Sequence, residues 1–111
     1  MKALHFRFPA DREPERRSHV GVVASGDLEI LFEPARHETE GEHGQARVRV
    51  RTSVEGFDEI WHLTLERFFA HTPLRGNWEL NDFAATPAVV TLRLRQAAEA
   101  AMDPDQEGGR S

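Results

Sequence analysis

From Gln45 onward, apolar and basic residues alternate without a break in "QARVRVRTSV". Ala46, Val48 and Val50 fall on one side, and Arg47, Arg49 and Arg51 on the other. A period of two marks a strand with one buried face, and this is the clearest such signal in the chain. "ALHFRF", residues 3–8, repeats it more briefly and reads as a first strand. The following "PADREPERRS" is charged, holds two prolines and reads as a loop. "HVGVVA" and "DLEILFE" read as the next two strands, joined by a two-residue loop at Ser25-Gly26. That loop would pair Ala24 with Asp27, Val23 with Leu28, Gly21 with Ile30 and His19 with Phe32. Val23, Leu28, Ile30 and Phe32 would then share the buried face, with Gly21 leaving room for close packing against Ile30.

A second polar loop, "PARHETEGEHG", precedes the arginine strand, and after that strand the spacing changes. In "FDEIWHLTLERFFA", Phe57, Ile60, Trp61, Thr64, Leu65 and Phe68 recur at helical intervals. That spacing assigns Trp61, Phe57, Phe68 and Phe69 to the core rather than to a ligand. "WELND" predicts a short strand. "TPAVVTLRLRQAAEAAM" predicts a helix with Thr86 as N-cap and Pro87 at its first position, where a missing N–H matters least. Val90, Leu94, Ala97, Ala98 and Ala101 form its apolar side. "DPDQEGGRS" has no apolar residue and predicts a disordered tail. The order is β-β-β-β-α-β-α. The expected fold class is α+β: a two-layer sandwich, with a mostly antiparallel sheet and two helices packed on one face. A single domain spans 1–102, with the tail over 103–111.

At 111 residues the chain can build one core with little surplus for a large cofactor cavity. It contains no cysteine, which excludes disulfides, thiolate nucleophiles and cysteine-based metal sites. A net charge of −5 argues against a nucleic-acid binder, which needs a basic surface to displace counterions from phosphates. No apolar run reaches the roughly 18 residues of a membrane span, and the N-terminus has no secretory pattern. The cytoplasm is the expected location.

Several constellations bear on chemistry. His5, His19, His37, His43, His62 and His71 are scattered, and none stands in a signature around Ser25, so a serine hydrolase lacks its base. "HETEGEH" offers His37, Glu38, Glu40, Glu42 and His43 as metal donors, but it reads first as a solvated acidic loop. The Arg47, Arg49, Arg51 side could meet phosphates or an acidic partner, or could be a solvent face balanced by Glu29 and Glu33. Ser25-Gly26 is an ordinary turn dipeptide, in which Gly26 can take a positive φ and Asp27 can hydrogen-bond the turn backbone. The same features suit a modification site: a hydroxyl displayed on a rigid hairpin, with Asp27 placed to help an enzyme orient it.

Three blocks in order, "VGVVASGDLEILFEP", "SVEGFDEIWHLTLERFF" and "NDFAATPAVVTLRLRQAAEAA", resemble the acyl carrier (delta) subunit of biotin-independent malonate decarboxylase. The chain is similar, more distantly, to the citrate lyase acyl carrier subunit, which shares the Ser-Gly-Asp. The resemblance covers about residues 19–101. It implies a covalent prosthetic group, 2'-(5''-phosphoribosyl)-3'-dephospho-CoA, joined through a phosphodiester to Ser25 beside Gly26 and Asp27. Its thiol would bear acetyl and malonyl thioesters, which explains thioester chemistry in a cysteine-free chain. The implied partners are the acyltransferase and decarboxylase subunits, a prosthetic-group transferase and a malonyl transferase, with no nucleic acid and no membrane. No catalytic residue and no metal is expected in this chain. A malonyl thioester loses carbon dioxide readily because the developing charge delocalises into an enolate, so the carrier's share is positioning. Ala24 and Ala85 depart from the family pattern, standing where glycine is common. The competing readings are a citrate lyase-type carrier and an unmodified interaction or scaffold module.

Overall fold

A computed structural model describes residues 1–35 and 44–102. In chain order the elements are β1 (Lys2–Pro9), β2 (Ser18–Gly21), β3 (Asp27–Glu33), β4 (Gln45–Thr52), α1 (Asp58–His71), β5 (Gly76–Phe83) and α2 (Pro87–Met102). The strands form one sheet in the order β1-β4-β5-β3-β2. Neighbours run antiparallel except β4 and β5, which are parallel because α1 carries the chain back between them. The structure is thus the expected α+β arrangement, with one parallel pair at the centre of the sheet.

Alternation decides which side of the sheet is covered. The inward row through the middle reads Phe6–Val48–Trp78–Phe32, and the next reads Leu4–Val50–Leu80–Ile30–Val20. Leu28, Ile30, Phe32, Val50 and Leu80 are fully buried, and burying such a side chain contributes roughly 1.5–3 kcal/mol. Trp78 is the hub, with ring centroids 4.6 Å from Phe32, 5.2 Å from Phe69 and 5.9 Å from Phe68. Both helices pack on this face, α2 through Val90, Leu94, Ala97, Ala98 and Ala101. Thr86 caps α2 as the sequence predicts, its hydroxyl accepting the Val89 N–H at 3.2 Å. The other face carries Arg7, His5, Arg47, Arg49 and Arg51 on β1 and β4, and Glu79, Glu29 and Glu33 on β5 and β3.

Three expectations are corrected. β2 stops at Gly21, and its register differs by one residue from the expected pairing: Gly21 faces Glu29, and Val20 faces Ile30. Val23 is therefore not in the core but 66% exposed. The cause is Gly21, whose φ of +86 turns the chain out of the strand. A Cβ at Gly21 would lie 2.0 Å from the Leu28 carbonyl oxygen, so the close approach is to backbone rather than to Ile30. Secondly, "WELND" is the middle of an eight-residue strand at the centre of the sheet. Thirdly, the buried stripe of α1 is Trp61, Leu65, Phe68 and Phe69, while Phe57 and Ile60 are 44% and 42% exposed.

The charged "ADREPERR" loop has a structural role. The Glu15 and Arg16 N–H groups donate to the Ala101 carbonyl at 2.8 and 3.0 Å, satisfying the last turn of α2. Arg75 pairs with Glu13 beneath it. The proposed tail, 103–111, and the donors of "HETEGEH" lie outside the described residues.

Candidate functional site

The Ser25 turn is built by the chain's departure from β2 at Gly21 and its return into β3 at Asp27. The Asp27 N–H donates to the Ala24 carbonyl at 3.0 Å, closing a β-turn with Ser25 and Gly26 at its centre. Gly26 has φ +83, the left-handed value that the third position of a type II turn demands. Its N–H donates to the Phe83 carbonyl at 2.6 Å, pinning the turn to the end of β5. Val22 to Gly26 are all exposed. The Ser25 hydroxyl has no hydrogen-bond partner among the described residues. A Cβ built on Gly26 would meet nothing within 4 Å, so the approach to the serine is open.

Asp27 anchors this turn. Its Oδ1 accepts the Leu28 N–H at 2.7 Å and Arg93 Nε–H at 2.9 Å, and its Oδ2 accepts Arg93 Nη2–H at 2.7 Å. This two-pronged fork brings α2 onto the turn. Arg93 Nη1–H in turn donates to Gln96 Oε1 at 2.9 Å, which fixes the guanidinium plane. The Arg93 bond first, and the Leu28 N–H next, hold the Asp27 carboxyl below the usual carboxylate range. Asp27 is therefore ionised and engaged away from the serine. It secures the root of the turn rather than receiving the Ser25 proton.

His19, a few residues upstream, is also engaged. Its Nε2 lies 2.8 Å from Glu29 Oε2, and Asn81 Nδ2–H donates to Glu29 Oε1 at 3.0 Å. Asn81 first and His19 second hold Glu29 below the ordinary carboxylate range. No base reaches Ser25 among the described residues, so the geometry is not that of a nucleophilic triad. No group of three or more metal-type side chains occurs among the described residues. No helix among them is long and apolar enough to cross a membrane.

The arginine face is a solvent-facing row in which Arg51 Nη1 lies 3.5 Å from Glu79 Oε2. Sequence reasoning missed three features around the turn. Arg93 sits in "TLRLRQ", where nothing in the periodicity names Asp27, 66 residues away, as its partner. The left-handed residue of the β5–α2 corner is Ala84, with φ +71, while the noted Ala24 and Ala85 have no positive φ. Asp82 is buried at that corner, its Oδ2 accepting the Thr52 hydroxyl at 2.9 Å and its Oδ1 the Ala85 N–H at 3.0 Å.

With this geometry in place, comparison with known proteins is informative. The profile of the family described as malonate decarboxylase delta subunit (MdcD) matches residues 15–101. The chain is 45% identical over 100 residues to the malonate decarboxylase acyl carrier protein of Pseudomonas fluorescens (strain SBW25), covering 89% of this chain and 95% of that one. It is 46% identical over 100 residues to the protein of the same description from Azotobacter vinelandii, with the same coverage. Its structure is similar to a chain in a crystal structure of a Pseudomonas malonate decarboxylase hetero-tetramer in complex with malonate. There the TM-score is 0.78 and the identity 43%, over 91% of this chain and 99% of that one. The chain belongs to the malonate decarboxylase delta subunit family.

Proposed function

We propose that this protein is the acyl carrier subunit of a malonate decarboxylase, and that Ser25 is the attachment point of its 2'-(5''-phosphoribosyl)-3'-dephospho-CoA group. The observation that carries this reading is the Ser25 hydroxyl itself. It is exposed, unpartnered among the described residues, and set on a turn fixed by the Ala24, Phe83 and Arg93 bonds. A primary alcohol on such a turn can enter a transferase active site without local unfolding.

The surrounding residues fit an anionic adduct. A phosphodiester on Ser25 adds negative charge two residues from the Asp27 carboxylate. Arg93 offsets the charge of Asp27 through both carboxylate oxygens, which lowers that repulsion. The open space around Gly26 leaves the new bond unobstructed. When bound, the group supplies the thiol that this cysteine-free chain lacks, and so a carrier for acetyl and malonyl groups. The chain's own part is to hold the root of the arm still. A tethered acyl group then meets successive active sites at millimolar effective concentration. Acyltransferase and decarboxylase subunits perform the chemistry, and a dedicated transferase loads Ser25.

The test is intact mass and peptide mapping of the chain purified within its native complex, beside Ser25→Ala. The adduct is expected on the peptide containing Ser25. The alanine variant should keep its circular dichroism spectrum while losing the adduct and malonate turnover. A bare Ser25 in a complex that turns over malonate, or an alanine variant that does so, overturns the assignment.

A further inference from the structure

After Met1, the most exposed large apolar residues among those described are Val23 and Val22, at 66% and 53%. They stand two and three residues before Ser25. Their exposure is built into the backbone. Gly21, with φ +86, turns the chain out of β2 just ahead of them, and the Leu28 carbonyl takes the space a Gly21 side chain would need. Leaving two isopropyl groups in water forgoes the stabilisation that their burial would give. The whole run Val22-Val23-Ala24-Ser25-Gly26 is exposed and carries no charge, in a chain with 30% charged residues. The carboxylate that follows, Asp27, is engaged by Arg93. The surface leading to the serine hydroxyl is thus apolar and neutral, and what complements it is an apolar cleft.

The chemistry of the arm decides whose cleft that is. Between Ser25 Oγ and the thiol stand a phosphoribose, an adenosine, a diphosphate and a pantetheine, in that order. Subunits that exchange or decarboxylate the acyl group act at the far end of this arm and have no need to touch the turn. The loading enzyme must reach Oγ itself. Its donor is an activated, polyphosphate form of the group. The Oγ–P bond forms, the P–O bond to the departing phosphate chain breaks, and the hydroxyl proton passes to a base of that enzyme. This chain supplies none, since Asp27 is held by Arg93 and His19 by Glu29. Groups of the enzyme must therefore come within about 3 Å of Oγ. The Cα atoms of Val23 and Val22 lie at most about 7 and 11 Å along the chain from that of Ser25, so a protein surface this close also meets their side chains.

We propose that Val22 and Val23 are the docking element for the transferase that loads Ser25, seated in an apolar cleft beside its active site. The proposal rests on Ser25 being the attachment point. Valine suits this task because its branched side chain has one stiff torsion and loses little freedom on seating. Behind the valines, the Ala24, Phe83 and Arg93 bonds fix the turn, so Oγ arrives in one geometry. Two roles are thereby separated: the valines serve attachment, and the arm serves the acyl cycle.

The test loads the full chain, made without its adduct, using the native transferase and its polyphosphate donor, with uptake followed by intact mass. In Val22→Thr, Val23→Thr, each side chain keeps its shape and exchanges a methyl for a hydroxyl. Both positions are exposed, so the circular dichroism spectrum should not change. Two hydroxyls seated in an apolar cleft should lower kcat/KM for loading about ten- to hundredfold, through KM rather than kcat. Leu63→Thr is the control, an apolar residue of α1 that is 47% exposed, and it should load as wild type does. Once driven to full loading and assembled, the valine variant should turn over malonate at the wild-type rate. Equal loading of the valine variant and wild type, an equal defect in Leu63→Thr, or slowed turnover of the fully loaded variant would each overturn the docking role. A wild-type chain that takes up no adduct at Ser25 would instead sink the carrier assignment itself.

Discussion

Thr52→Val removes one oxygen atom from the interior and replaces it with a methyl group of similar size. Thr52 is fully buried and Asp82 is 6% exposed. The hydroxyl donates to Asp82 Oδ2 at 2.9 Å while accepting the Val54 N–H at 3.0 Å. In the variant, a buried carboxylate oxygen loses its donor, which costs about 1–3 kcal/mol, with the upper end favoured by the charge. The partly buried Val54 N–H loses its acceptor, adding about 1 kcal/mol. The expected loss is therefore about 2–4 kcal/mol, against a total stability of roughly 5–15 kcal/mol for a domain of this size. Urea unfolding followed by the fluorescence of buried Trp61 and Trp78 measures it. With a slope of about 1–2 kcal/mol per molar urea, the midpoint should fall by about 1–4 M. Thr52→Ser is the control. It keeps the hydroxyl and loses a methyl, so its loss should stay near 1 kcal/mol. A valine variant within about 0.5 kcal/mol of wild type, or a serine variant that falls as far as valine, would show that packing, not this hydrogen bond, holds the corner.

Gly21→Ala should also destabilise strongly. The left-handed φ of +86 adds about 1–2 kcal/mol for a side-chain-bearing residue. The 2.0 Å approach to the Leu28 carbonyl must also open, so the thermal midpoint should drop by more than about 8 °C. An unchanged midpoint would mean that β2 does not turn out of the sheet at Gly21. Acid should weaken the fold in a defined direction. Asp27 and Glu29 have lowered pKa values in the folded chain. The unfolded chain therefore takes up protons first as pH falls, and the stability these groups contribute is fully present above about pH 4.5. It is lost as pH falls through their folded-state values. Asp27→Asn and Glu29→Gln should each flatten the acid limb of a stability–pH profile, and a limb of unchanged steepness in both would refute the assignment.

The fold was legible where one physical constraint governs a segment. β4 alternates strictly because one of its faces is buried, and Thr86-Pro87 marks a helix start because capping and a missing N–H are local matters. It was obscured where a distant atom decides. Gly21 and Val23 fit a tidy two-residue hairpin on paper, since period-two spacing cannot show that the Leu28 carbonyl occupies the space where a Gly21 side chain would be. β5 looked short because its inward positions include Gly76 and Asp82, neither of which reads as core. Asp82 can face inward because the Thr52 hydroxyl, 30 residues away, and the Ala85 N–H satisfy its two oxygens. The same reasoning applies to the site. Ser25, Gly26 and Asp27 stand together in sequence, and the turn geometry keeps them together. The Arg93 fork on Asp27 arises from tertiary packing, which leaves no mark on local spacing.

The bonds around the serine turn close a ring. Asp27 binds Arg93 of α2; α2 is capped by Thr86; Ala85 beside it is held by Asp82; the next residue, Phe83, binds Gly26, which returns to Asp27. In such a ring the links are coupled, so loosening one lets its neighbours relax, and their contributions do not add. A flexible root would spread the arm over orientations that never face a partner, lowering its effective concentration at each active site. The sheet alone cannot prevent this, because β2 has already left it at Gly21. On the β2 side, rigidity at Ser25 must therefore come from elsewhere: the Gly26 bond to Phe83 of β5 holds the turn from one side, and Arg93, reaching from α2 to both oxygens of Asp27, holds it from the other.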